Sequence, residues 1–257
     1  MKFKKWGDAQ LILGPGPLGR STISDYPSWG AFIKGGAVRA AKEGKSTMVY
    51  TWQGGNQAAF VLKFYRTLPF PAWWPWLCGR PQRVWPIGTG LEKTTDMVPS
   101  HVALVRPASG MTVIITEYLR DAVTFHALAT GKWVDKAHFS ALGRLMGRLH
   151  RLGVVHGDMK WTNIMVTGAS NPKDSRFWLI DLDGAFRFRG GDPGSRARDV
   201  ARFMCDGIKE GIKTDLLDAF RQSYRQDWPI DDGLEKEADR RLARLLKKKG
   251  LAGLLKR

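Results

Sequence analysis

Three side chains carry chemistry most plainly. Asp158 and Asn163 stand five residues apart in His156-Gly-Asp-Met-Lys-Trp-Thr-Asn163, and Asp181 ends the apolar run Leu179-Ile-Asp181. Moving a phosphoryl group from a nucleotide to an alcohol calls for such a set. One carboxylate orients the attacking hydroxyl, while an amide and a second carboxylate hold Mg²⁺ through hard oxygen donors. The spacing assigns Asp158 to the hydroxyl and Asn163 with Asp181 to the metal, and it implies ATP and Mg²⁺ as cofactors. Lys160 either neutralises the transferring phosphate or is a solvated loop lysine. Asp183 either contacts metal or substrate or caps a turn. His156 reads as a packed structural histidine behind the loop.

The order matches the kinase pattern His-Arg-Asp-x4-Asn followed by Asp-Phe-Gly, with Gly157 in the Arg position and Leu182-Asp183 in place of Phe-Gly. Asp199, in Arg196-Ala-Arg-Asp-Val200, is expected to open a helix 18 residues beyond Asp181. It would act as a simple N-cap or, preferably, receive backbone N–H groups of the catalytic loop. So short an interval leaves little room for an activation segment, and Gly157 removes the arginine that would pair with a phosphorylated one. A small-molecule or glycolipid acceptor fits better than a peptide.

These groups need a nucleotide site and elements to position them. Met48 to Trp52 and Ala58 to Tyr65 are β-rich runs around a Gly54-Gly55-Asn56 turn, and Thr112 to Thr116 is a further strand. Lys63, within Val61-Leu-Lys-Phe64, is the lysine expected to clamp the α- and β-phosphates. Gly44, Lys45 and Ser46 occupy the position of a phosphate-covering turn. Backbone around Glu117 and Leu119 would meet the adenine. No acidic residue occurs between 64 and 91, so Glu92 is the first candidate to pair with Lys63. Beyond Glu117 the periods become helical: Asp135 to Leu152 carries Leu142, Leu145, Met146, Leu149 and Leu152, and Gly153 stops it. Helices are also expected at 199–208 and 215–224. The expected fold class is α+β, a bilobal protein kinase-like fold. Its divisions are an N-terminal extension at 1–35, a β-rich lobe at 36–116, a helical lobe at 117–232 and a basic amphipathic helix at 233–257.

Charge bears on the partner. The 257 residues include 41 basic and 24 acidic side chains, formally +17. Such a balance favours anionic partners. Pro69 to Leu77 holds three tryptophans, with Arg80, Arg83 and Trp85 beyond; it either meets a membrane interface or packs the lobe. From Arg240 to Arg257 there are eight basic residues and no acidic one, and the leucines share a face, as in a helix on an anionic membrane or one packed on the helical lobe. No aromatics interleave with that tail, so nucleic acid is not an expected partner. Neither a signal-peptide core nor an apolar run of spanning length is present, and Cys78 and Cys205 lie far apart, as suits a reducing cytoplasm.

Together the Lys63 strand, His150 to Asp158, Asn163 and Ile180-Asp-Leu-Asp-Gly-Ala185 resemble the lipopolysaccharide kinase family that phosphorylates Kdo or heptose of the inner core. The resemblance runs from about residue 36 to 205. It implies an ATP- and Mg²⁺-dependent sugar kinase, peripheral on the cytoplasmic face of the inner membrane, acting on a lipid-anchored acceptor. A soluble phosphotransferase of the aminoglycoside or choline type and a membrane-bound pseudokinase scaffold are the rivals.

Overall fold

A computed structural model describes residues 3–18, 22–55, 58–66, 80–169, 174–188, 193–227, 232–251 and 253. The chain divides into two compact units, Met1–Leu119 and Arg120–Arg257. The first is a β-sheet lobe and the second a helical lobe.

The first unit is built on a seven-stranded antiparallel sheet. Its strands are β1 (Lys4–Trp6), β2 (Ala9–Leu13), β3 (Gly36–Glu43), β4 (Thr47–Gly54), β5 (Ala59–Tyr65), β6 (His101–Pro107) and β7 (Thr112–Glu117), in the order β1-β2-β6-β7-β5-β4-β3. Alternation along β5 decides which face Lys63 takes. Phe60 and Leu62 enter an aromatic core with Trp52, Val113 and Ile115, and Phe64 packs against it. Lys63 lies on the opposite face, between Val49 of β4 and Ile114 of β7, with Nζ 5.4 Å from the Tyr65 ring centroid.

Residues 1–35, expected as an extension, supply part of that core. Helix α1 (Trp29–Lys34) is capped by Ser28, whose Oγ accepts the Ala31 N–H at 3.1 Å. It stacks Phe32 on Trp52 at 4.5 Å, and the Trp52 indole N–H donates to the Phe32 carbonyl at 3.0 Å. Trp6, Ile23 and Trp29 are buried around this pair. A stacked aromatic pair adds about 1 kcal/mol to its burial. Helix α2 (Arg80–Thr94) then buries Trp85 against His101, so the last tryptophan of the aromatic-rich segment packs inside. Trp73, Trp74 and Trp76 lie outside the described residues.

In the second unit, α3 (Phe125–Thr130) follows β8 (Val123–Thr124). The long α4 (Lys136–Arg151) is fixed at its start by a capping box between Asp135 and His138. Leu142, Met146 and Leu149 are buried as their spacing requires, whereas Leu152 is partly exposed as the C-cap. Helix α5 spans Pro193–Lys209, α6 Thr214–Asp227 and α7 Asp232–Lys248. α4 lies close on α6 because Gly143 and Gly147, one turn apart, leave room for the α6 backbone. A Cβ on Gly143 would stand 2.3 Å from the Phe220 carbonyl oxygen. α7 lays Leu234, Ala238, Leu242 and Leu246 into the unit, packing against α5. Its apolar face is therefore covered by protein, and the face left to solvent carries Lys236, Arg240, Arg244, Lys247 and Lys248.

Candidate active site

The loop that carries the candidate catalytic residues runs from β9 (Val154–Val155) through Asp158 to a 3-10 turn at Trp161–Asn163, and then enters β10 (Ile164–Thr167). β10 pairs antiparallel with β11 (Arg176–Leu179), with Ile164 opposite Leu179. The Ile180 N–H donates to the Asn163 carbonyl at 3.0 Å. This last rung makes Asn163 and the residues after Leu179 neighbours at one end of the ladder. Asp181 follows in the left-handed region, φ 60° and ψ 59°, ahead of a 3-10 turn at Leu182–Gly184 that holds the partly exposed Asp183. An aspartate tolerates that conformation better than most residues.

Loop geometry is held from behind. Asp199 is fully buried and accepts the His156 N–H at 2.7 Å and the Gly157 N–H at 2.9 Å. His150 Nε2 lies 3.3 Å from Asp199 Oδ2, and His150 Nδ1 lies 2.7 Å from the Tyr224 hydroxyl. Because a carboxylate only accepts, the network assigns the proton to Nε2, and the Tyr224 hydroxyl donates to Nδ1. Burial pushes the Tyr224 phenol above its ordinary range, which keeps that donor protonated. Contrary to the expectation from sequence, Asp199 does not open its helix. Pro193 occupies the first helical position, and Asp199 sits well inside α5.

His156 is buried, with Nε2 3.0 Å from the Ile180 carbonyl, so it ties the loop to the strand end that carries Asp181. Gly157 has φ 78°, and a Cβ there would stand 2.2 Å from the Gly184 carbonyl oxygen. Glycine at this motif position is thus required by a close backbone approach.

Asp158 is engaged on both oxygens. Oδ1 pairs with the Arg202 guanidinium, and Oδ2 with Lys160 Nζ at 2.8 Å. Asn163 Nδ2 donates to the Asp158 carbonyl at 2.9 Å, which leaves its amide Oδ1 as the donor for a cation. One carboxylate, Asp181, and one amide oxygen suit Mg²⁺, which takes few protein ligands and completes its shell with water and phosphate oxygens. No cluster of three or more His, Cys, Asp or Glu side chains able to hold a metal occurs among the described residues.

Sequence reasoning missed four residues here: His150, Arg202, Asp206 and Tyr224. Asp206 Oδ2 accepts the Trp161 N–H at 3.0 Å. A signal was available, since Asp199, Arg202 and Asp206 fall at i, i+3 and i+7 on one helix face.

Within the first unit, Gly44, Lys45 and Ser46 form the turn between β3 and β4. The Gly44 N–H is spent on the Thr47 carbonyl at 2.8 Å, and Ser46 Oγ accepts from Arg80 at 3.1 Å, so the cradle expected around Gly44 is partly consumed by the hairpin itself. Lys45 is exposed. Glu117 ends β7, where the Ser100 N–H approaches its carboxylate at 3.4 Å, and Leu119 is half-buried at the end of the unit. Glu92 accepts the His101 N–H at 2.9 Å, and burial raises its pKa. Its carboxylate therefore caps the start of β6.

Comparison with known proteins bears on the fold and on the sequence pattern around this loop. Residues 97–202 match the model of the Lipopolysaccharide kinase (Kdo/WaaP) family. The 3-deoxy-D-manno-octulosonic acid kinase of Stenotrophomonas maltophilia (strain R551-3) is 24% identical over 87% of this chain and 82% of its own length. A probable bifunctional tRNA threonylcarbamoyladenosine biosynthesis protein of Methanospirillum hungatei is 29% identical over 51% of this chain, which spans only 24% of that relative's length. Among solved structures, WaaP in complex with acyl carrier protein superposes with a TM-score of 0.62 at 19% identity, covering 91% of this chain and 98% of that one. The chain has the protein kinase-like fold and, over residues 97–202, carries the pattern of the lipopolysaccharide kinase (Kdo/WaaP) family.

Proposed function

We propose that the chain is an ATP- and Mg²⁺-dependent kinase that phosphorylates a hydroxyl of an inner-core sugar, Kdo or heptose, of lipopolysaccharide. The observation that carries this reading is the grouping of Asp158, Asn163 and Asp181 around one end of the β10–β11 ladder, on a loop clamped by Asp199. Asp158 orients the acceptor hydroxyl and receives its proton as the oxygen attacks the γ-phosphorus. Lys160 offsets charge on the transferring group. Asn163 and Asp181 are the residues to hold Mg²⁺, which when bound neutralises the nucleotide phosphates. Lys63 is the residue to contact the α- and β-phosphates.

On this reading the enzyme is peripheral on the cytoplasmic face of the inner membrane. No helix among the described residues is long and apolar enough to cross a membrane. Since α7 buries its leucines in protein, contact with an anionic surface would be electrostatic, worth about 1 kcal/mol per lysine or arginine near the lipid. An acyl carrier protein, the partner of WaaP in the solved complex, is a further candidate partner. Mass spectrometry of lipopolysaccharide core from cells with and without the gene tests the function. One phosphate mass difference on a single inner-core sugar is expected; identical core masses would refute it.

A further inference from the structure

The face of α5 that grips the catalytic loop carries three residues, and one differs in kind. Asp199 and Asp206 bind backbone N–H groups, those of His156, Gly157 and Trp161. They fix where the loop runs. Arg202, between them, touches no loop backbone in these bonds. It pairs with the Asp158 side chain, the group that must engage the acceptor hydroxyl.

Positioning the loop does not require Arg202, because its neighbours on both sides already do so. Nor is Arg202 the carboxylate's sole cationic partner, since Lys160 Nζ lies 2.8 Å from the other oxygen. Both members of the Arg202–Asp158 pair are also open to a ligand, with side chains 26% and 28% exposed. A buried structural pair would be closed to exchange.

We propose that Arg202 is the specificity residue for the acceptor, binding an anionic group, a carboxylate or phosphate, on the same sugar whose hydroxyl meets Asp158. An anionic acceptor exchanges partners: its anion takes the guanidinium fork while its hydroxyl takes the oxygen that Arg202 leaves. Every charge remains paired throughout. A neutral acceptor has nothing to offer Arg202, and must leave the guanidinium on Asp158 or strand it. This deepens, and rests on, the sugar-kinase reading above.

The test is a binding measurement that needs no turnover. Isothermal titration calorimetry would compare free 3-deoxy-D-manno-octulosonic acid with its methyl ester, and a phosphorylated heptose with the unphosphorylated sugar, on wild-type protein, Arg202→Gln and Arg202→Lys. Wild type should favour the anionic member of one pair by about tenfold to a hundredfold, which also identifies the source of the charge. Arg202→Gln should abolish the preference, and Arg202→Lys should restore part of it. Equal affinity for both members of both pairs in wild type, or a preference surviving in Arg202→Gln, overturns the proposal. Phosphoryl transfer to the same sugars is scored separately: discrimination in binding without any transfer would refute the kinase reading and leave the anion subsite standing.

Discussion

Replacing Asp199 by Asn tests how the catalytic loop is held. The side chain keeps its shape, but one oxygen becomes an NH₂ that can only donate. Three donors converge on Asp199: the backbone N–H groups of His156 and Gly157, and His150 Nε2. Whichever way the amide turns, its NH₂ faces at least one of the backbone donors. That stranded donor costs about 1–3 kcal/mol in a fully buried site. The remaining bonds lose their charge assistance, about 1 kcal/mol each, while removing a buried charge repays part of the loss. The net expectation is a destabilisation of about 3 kcal/mol, which a protein of ordinary stability survives folded. Urea unfolding reads that loss, and amide hydrogen exchange at His156 and Gly157 reads the loop directly. Both amides should exchange faster, and phosphoryl transfer should fall about a hundredfold as Asp158 loses its placement. Unchanged protection of these amides, with stability within about 0.5 kcal/mol of wild type, would refute the clamp.

Other consequences follow from the same structure. Burial lowers the His101 pKa to about 4, so the folded state resists a proton that the unfolded chain accepts below about 6.5. This contribution is complete above pH 6.5 and is lost as pH falls toward 4, about 2 kcal/mol of it between pH 7.5 and 5; His101→Asn should flatten that part of the stability profile measured by denaturant unfolding. Gly157→Ala should destabilise by about 2 kcal/mol or more, from its positive φ and the Gly184 carbonyl oxygen 2.2 Å away. Gly184→Ala, whose nearest contact would be 3.2 Å, should cost less, and equal thermal shifts would contradict this account of the pair. Reversing charge on the outward face of α7, with Lys247→Glu and Lys248→Glu, should weaken flotation with anionic vesicles and leave the melting temperature in place. Flotation that survived would remove this face from the membrane reading.

What the sequence disclosed was local. The grouping of Asp158, Asn163 and Asp181 was legible because five-residue loop spacing and the end of an apolar strand bring these residues to one end of the β10–β11 ladder. Lys63 was legible because strand alternation alone turns it away from the aromatic core. Asp199 was legible as a receiver of loop N–H groups only through the motif's order, and its place inside α5 was not, because nothing in Arg196-Ala-Arg shows that Pro193 starts the helix. Tyr224 joins His150 across 74 residues of sequence and His150 joins Asp199 across 49, and no periodicity encodes such contacts. Residues 1–35 read as an extension, yet Trp6, Ile23 and Phe32 bury in the first unit's core. The amphipathic α7 illustrates a different limit. An apolar stripe states that something covers it, and here the cover is α5 rather than lipid.

The central claim is that Asp158 and Asp181 serve phosphoryl transfer to a lipid-linked inner-core sugar. The direct measurement incubates the purified chain with radiolabelled ATP, Mg²⁺ and a Kdo-bearing lipid A acceptor, and follows label into the lipid. Transfer by wild type that is lost in both Asp158→Ala and Asp181→Ala, each folded by circular dichroism, is the predicted result. Transfer that persists in both variants, or a wild type that labels no acceptor under these conditions, would contradict it.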